Sequence, residues 1–106
     1  MENLDIALSQ LTFRWLPRHL NHIAENIVFK KRNTSFLSIN ALFRSDNYKE
    51  GPAPPPFKDS FMLNGFIEVQ KNDLLRTRAE SMTVIFRLDK NNNIIPITAY
   101  SESDDN

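Results

Sequence analysis

The stretch Met82–Tyr100, MTVIFRLDKNNNIIPITAY, decides how this chain folds. Two apolar runs flank Asp89-Lys90-Asn91-Asn92-Asn93. Asn tolerates left-handed dihedrals and bonds to its own main chain, so such a cluster reverses the backbone. The stretch therefore reads as a β-hairpin closing a small antiparallel sheet. Side chains alternate along a strand, which puts Met82, Val84, Phe86 and Leu88 on one face. Pro96 cannot donate to a ladder, so the last strand, Asn93–Ser101, is expected at an edge or with a bulge.

Working outward, Ser60–Gln70 also alternates, with Phe61, Leu63, Ile67 and Val69 on one face and Asn64, Glu68 and Gln70 on the other. Ser35–Arg44 reads as a further strand, with Leu37, Ile39, Ala41 and Phe43 facing one way, and Ile27–Lys31 as a short one. Asp46–Lys58 is expected to be a loop, extended and polyproline-like through Gly51-Pro52-Ala53-Pro54-Pro55-Pro56. Lys71–Glu80 is charged and reads as a turn or a single helical turn.

At the start of the chain the period changes. Leu4, Leu8, Leu11 and Trp15 recur at helical spacing, with Asn3 as N-cap and Asp5 in the first turn. Pro17 breaks that ladder or starts a second helix, and Leu20, Ile23, Ala24 and Ile27 continue the apolar spacing toward Asn26. One kinked helix or two short ones are expected between Asn3 and Glu25. The fold class is α+β, a helix packed on the apolar face of a four- or five-stranded antiparallel sheet whose other face is polar. Residues 1–100 form one domain, and 101–106 a frayed acidic tail.

Composition bounds the chemistry. A chain of 106 residues, 41% hydrophobic and 25% charged, is one globular domain with a single core. It has no cysteine, so disulfides, thiolate metal sites and thiol catalysis are excluded, in keeping with a reducing compartment. Glu2 and Asp5 break up the first ten residues, unlike a signal peptide. No apolar run nears the roughly 20 residues that span a bilayer. A cytoplasmic setting follows as the expectation. Thirteen basic residues balance thirteen acidic ones, which disfavours a nucleic-acid partner without removing local basic patches.

His19 and His22 with Glu25 form H-x-x-H-x-x-E on a presumed helix. A catalytic zinc normally needs three protein ligands and HExxH-type spacing, so surface histidines are expected and no metal. Lys30, Lys31 and Arg32, with Arg14 and Arg18, make the first third basic, and Arg76 and Arg78 form a smaller pair. Gathered around exposed Phe57, Phe66 or Tyr48 they would suit single-stranded RNA. A solvated rim explains them as well. Pro52–Pro55 satisfies PxxP, and a rigid surface loop explains the same residues. Trp15, Phe36, Phe57, Phe66 and Tyr48 are the candidates for partner binding, because exposed aromatics mark interaction surfaces. With two glycines only and no nucleophile elbow, nucleotide and serine-hydrolase chemistry are not expected, and no cofactor is implied.

Two blocks carry a family resemblance. Trp15–Phe29 and Val84–Tyr100 resemble the opening tryptophan and helix, and the closing hairpin, of BrnT-type toxins of the RelE superfamily. Together they cover about a third of the chain. The resemblance implies an α+β fold, RNA cleavage and a tight antitoxin partner, with Arg18, His19 and His22 as the positions to test. The family's His-Gly step is Asn26-Ile27 here, the proline-rich middle is unmatched, and an acidic tail replaces a basic helical end. The residues favour a non-enzymatic module that binds a protein partner or itself, with a metal-independent toxin-type ribonuclease as the alternative. Geometry discriminates: the enzyme needs His19 or His22 in one cleft with Lys30–Arg32 or with Arg76 and Arg78.

Overall fold

A computed structural model describes residues 2–28, 36–45, 47–71 and 76–102, with side chains for 3–24, 39–45, 47–67 and 81–100. Three helices, α1 (Glu2–Gln10), α2 (Pro17–Val28) and α3 (Phe36–Ser45), precede four strands, β1 (Tyr48–Pro52), β2 (Phe61–Lys71), β3 (Arg76–Leu88) and β4 (Ile94–Glu102). The strands form one antiparallel sheet in the order β1-β2-β3-β4. The α+β expectation holds, with four strands and with helix α2 packed on β4 and α3 on β2.

The β3–β4 turn forms by the local chemistry its residues offer. Asp89 Oδ1 accepts from the Asn91 and Asn93 amides at 2.9 Å each, and Asn93 Nδ2 donates to Asp89 Oδ2 at 3.0 Å. Asn92 takes the left-handed conformation at φ 61° and its amide reaches Asp89 O at 3.0 Å. Aspartate gathers the turn, while asparagine supplies the dihedral. Arg14 reaches in from the N-terminal segment, 3.5 Å from Asp89 Oδ2. Those amide and guanidinium donors hold the Asp89 carboxyl below its ordinary value.

Pro96 lies on edge strand β4 and beside a register shift, since Ile85 pairs Thr98 and Phe86 pairs Pro96, leaving Ile97 extra. The start of this edge is closed by the N-terminal segment. Phe13 bridges Ile94 in parallel, Ile94 N donates to Thr12 O at 2.7 Å, and Arg14 N donates to Ile94 O at 2.8 Å.

Leu4 and Ala7 of α1, Ile23 of α2, and Ile39, Leu42 and Phe43 of α3 share one buried cluster with Leu63, Ile67, Met82, Val84, Phe86, Ile94 and Ala99 of the sheet. An aromatic ladder ties the layers. Trp15 stacks on Phe13 at 5.9 Å between centroids, Phe13 meets Phe43 edge-on at 5.2 Å, Phe43 meets Phe86 likewise at 5.2 Å, and Phe86 lies 5.8 Å from Phe61. Edge-to-face pairs add to area burial because ring edges and faces carry opposite partial charge.

Several expectations are corrected. Residues 36–45 are a helix, not a strand, and burial follows helical spacing: Ile39, Leu42 and Phe43 are buried while Ala41 is exposed. Alternation over this segment was a by-product of i, i+3, i+4 spacing read at period two. Ile27 and Val28 belong to α2 rather than to a strand, and residues 29–31 of that expectation lie outside the described residues. The N-terminus forms two helices, the second starting at Pro17. Leu11 lies past the end of α1 in the left-handed region at φ 52°, its amide bonded to Ala7 O at 2.9 Å, so Leu11 and Trp15 reach the core from a connection and not from a helix face. Part of the proline-rich loop is strand β1, paired Tyr48↔Gly65 through Pro52↔Phe61, and turns follow it, with Phe57 N donating to Pro54 O at 3.0 Å. The sheet's second face is not simply polar, because Ile85 is 2% and Ile95 1% exposed. Residues 76–80 of the expected charged turn are strand, and Ser101 and Glu102 of the expected tail are in β4.

Candidate functional site

Phe66 is the large aromatic most openly offered to solvent among the described residues, 59% exposed. Its neighbours on β2 explain why. Side chains alternate, so Leu63, Gly65 and Ile67 turn to the core, all buried, and Phe66 turns to the other face with half-buried Met62 and Asn64. Strand β1 ends opposite Gly65, so no described strand flanks Phe66 on that side. Beside it, Asn64 Nδ2 donates to Thr83 Oγ1 across the β2–β3 ladder at 2.7 Å, which orders the face on which the ring stands.

Beyond Phe66, among the described residues, only β2 and β3 remain paired. Strand β4 leaves β3 at Ser81↔Glu102, yet β2 and β3 pair from Ile67↔Glu80 to Lys71↔Arg76. This end is a two-stranded ribbon with no described strand on either side. Strand β3 has thirteen residues and at about 3.3 Å per residue spans roughly 43 Å, which matches the 43 Å long dimension of the molecule.

A second cluster lies on α2. Arg18 and His22 are exposed, while His19 is half-buried, and its Nε2 is buried with no hydrogen-bond partner among the described residues. Burial of the ring first, then the nearby Arg18 and Arg87 guanidinium groups, hold His19 below the ordinary value of 6.5. Arg87 on β3 is the member that the sequence could not nominate, since only the packing of α2 against the sheet brings it near.

The remaining candidates separate. Trp15 and Tyr48 are half-buried and packed against the core, and Phe57 is half-buried beside a hollow of about 570 Å³ lined by Pro52, Ala53, Pro55, Pro56 and Phe61. Lys30, Lys31 and Arg32 lie outside the described residues, as does the side chain of Phe36. Arg76 and Arg78 occupy the ribbon, paired with Lys71 and Val69. Among the described residues no three His, Asp or Glu side chains gather as a metal site, and no helix is long and apolar enough to cross a membrane.

Compared with known proteins, the chain matches no family model, and no curated protein or solved structure is similar enough to rank as a relative.

Proposed function

We propose that this chain is a small cytoplasmic interaction module, non-enzymatic, that binds a protein partner or itself. The observation that carries it is Phe66, a 59%-exposed ring on a sheet face ordered by the Asn64–Thr83 pair. An aromatic held on a rigid strand loses little side-chain entropy when covered, and such residues dominate interface energies. Half-buried Met62 beside it extends the apolar centre. Exposed Lys49 on β1, across from Asn64, supplies a charged rim that orients an encounter rather than adding affinity. The test is a capture experiment from the native host with wild-type and Phe66→Asp chains as bait. A stoichiometric partner retained by the first and lost by the second supports the module; equal capture by both overturns it.

One observation favours the alternative, a metal-independent ribonuclease of the toxin type. An imidazole whose pKa is held down by burial and by Arg18 and Arg87 would provide a proton acceptor next to cations that stabilise a pentavalent phosphate. That activity requires His19 Nε2, now buried, to reach an RNA 2′-hydroxyl. Cleavage of single-stranded RNA in the presence of chelator, abolished by His19→Ala, would establish the enzyme. Intact RNA after prolonged incubation removes it.

A further inference from the structure

Half-buried Leu11 is held in the left-handed region at φ 52°. There the Cβ of an L-residue crowds the following carbonyl oxygen, a penalty that glycine does not carry. Leucine is kept in this conformation because the chain is tied on both sides of it. Its own amide donates to Ala7 O at 2.9 Å and ends α1, and one residue later Thr12 O accepts from Ile94 N at 2.7 Å. A single residue therefore turns the chain from α1 onto the β4 edge. Short connections under strain are where exchange of an element between copies begins.

The two sides of this hinge are not held alike. On one side, Thr12 and Arg14 bond through the backbone to Ile94, Arg14 reaches Asp89, and the Phe13 ring meets Trp15 and Phe43. On the other, α1 is seated by its side chains: Leu4 and Ala7 are buried and Leu8 is half-buried, while Asn3, Asp5, Ile6, Ser9 and Gln10 are exposed. Among the described residues no backbone hydrogen bond ties α1 to another element. We propose that α1 leaves its own seat and fills the same seat in a second copy. Leu11 relaxes to a negative φ as the helix swings out, and residues 12–15 stay on β4. The seat fits its occupant by construction, because every contact of Leu4 and Ala7 is made again between copies. The gain is the release of two strained leucines per dimer. Proximity favours the closed chain, with an effective concentration of about millimolar, so exchange is driven by high protein concentration. This inference goes beyond the reading at Phe66 and makes no use of that ring.

Sedimentation velocity over a concentration series, with isotope-filtered NOEs in mixtures of labelled and unlabelled copies, tests it. Leu11→Pro fixes φ near about −65° and removes the amide that bonds Ala7, so it should dimerise at lower concentration than wild type. In that dimer the Leu4 and Ala7 methyls of one copy should show NOEs to the core of the other. Leu11→Ala and Leu11→Gly both lose the side chain, and only glycine also loses the strain, so the Gly chain should dimerise more weakly than the Ala chain by about tenfold or more. A Leu11→Pro chain that folds and stays monomeric throughout the series overturns the proposal. So does a dimer whose Leu4 and Ala7 contacts remain within one copy, or equal dimerisation by the Ala and Gly chains. If Leu11→Pro fails to fold, the Ala and Gly comparison decides. Phe66→Asp should leave the exchange unchanged, so failure of Phe66-dependent capture and failure of the exchange are read separately.

Discussion

Gly65 and Phe66 are adjacent on β2 and belong to different parts of the molecule. Gly65 sits where the sheet is four strands wide and α3 presses on it. A Cβ added there would lie 2.5 Å from the Asn47 carbonyl oxygen and 2.8 Å from Leu42 Cδ1. Phe66 stands past the β1 pairing, 59% exposed, at the root of a ribbon in which, among the described residues, only β2 and β3 pair. Within one ladder, flanking elements decide whether a position is part of the packing or part of the surface. The wide end is held by contacts among α1, α2, α3 and three strands. Past Ile67, itself part of that cluster, the only described strand pairing is between β2 and β3.

Substitutions should separate these two ends, the largest effect coming from the wide one. Phe86→Ala removes a fully buried ring that meets both Phe43 and Phe61, and about 3–5 kcal/mol of unfolding free energy should be lost in urea titration. A loss under 1 kcal/mol would show that the aromatic ladder is not the core of the wide end. Next, Gly65→Ala forces Asn47 and Leu42 to move and should cost about 1–3 kcal/mol by overpacking, read as a lowered Tm in calorimetry. No change would mean that the β1–α3 junction yields freely.

Smaller still is the pH response of the α2 junction. Burial and neighbouring cations depress the His19 pKa in the folded chain, so protonation favours the unfolded chain. Its contribution is full above 6.5 and is lost progressively as pH falls through the depressed folded value. Wild-type Tm should drop more steeply than that of His19→Gln over this window; parallel slopes would remove His19 from the account. The smallest effect belongs to the ribbon's root. Phe66→Ser should change unfolding free energy by no more than about 0.5 kcal/mol, since its ring is exposed. A larger loss would show that Phe66 is covered within the fold and is not a docking ring.

Legibility from sequence followed how local the cause was. The Asp89–Asn93 turn is built from hydrogen bonds within five residues, and it was readable as a turn. Pro96 was readable for the same reason, because a missing donor is a property of the residue itself. Residues 36–45 were not, since Ile39, Leu42 and Phe43 satisfy one period when packed while Leu37, Ile39, Ala41 and Phe43 satisfy another on paper. The ribbon was hidden too. Lys71–Glu80 is charged enough to read as a connection, and only the β2–β3 register extends pairing through Lys71↔Arg76.

The candidate site was half legible. Phe66 was nominated among five aromatics, but nothing in sequence separated it from Trp15 and Tyr48, which pack against the core. Arg18, His19 and His22 were nominated as a group. The structure adds Arg87 near His19 and leaves Arg18 and His22 in solvent.

By itself the sequence determined the α+β class, the closing hairpin, an interruption at Pro17 and the blunted last strand, because each follows from backbone chemistry acting over a few residues; that Pro17 starts a second helix came from the structure. Tertiary structure decided that the third apolar segment is a helix, that β2 and β3 outrun their neighbours, and which rings are buried. Those outcomes depend on which surfaces meet at long range, and burial is a property of the meeting and not of the residue.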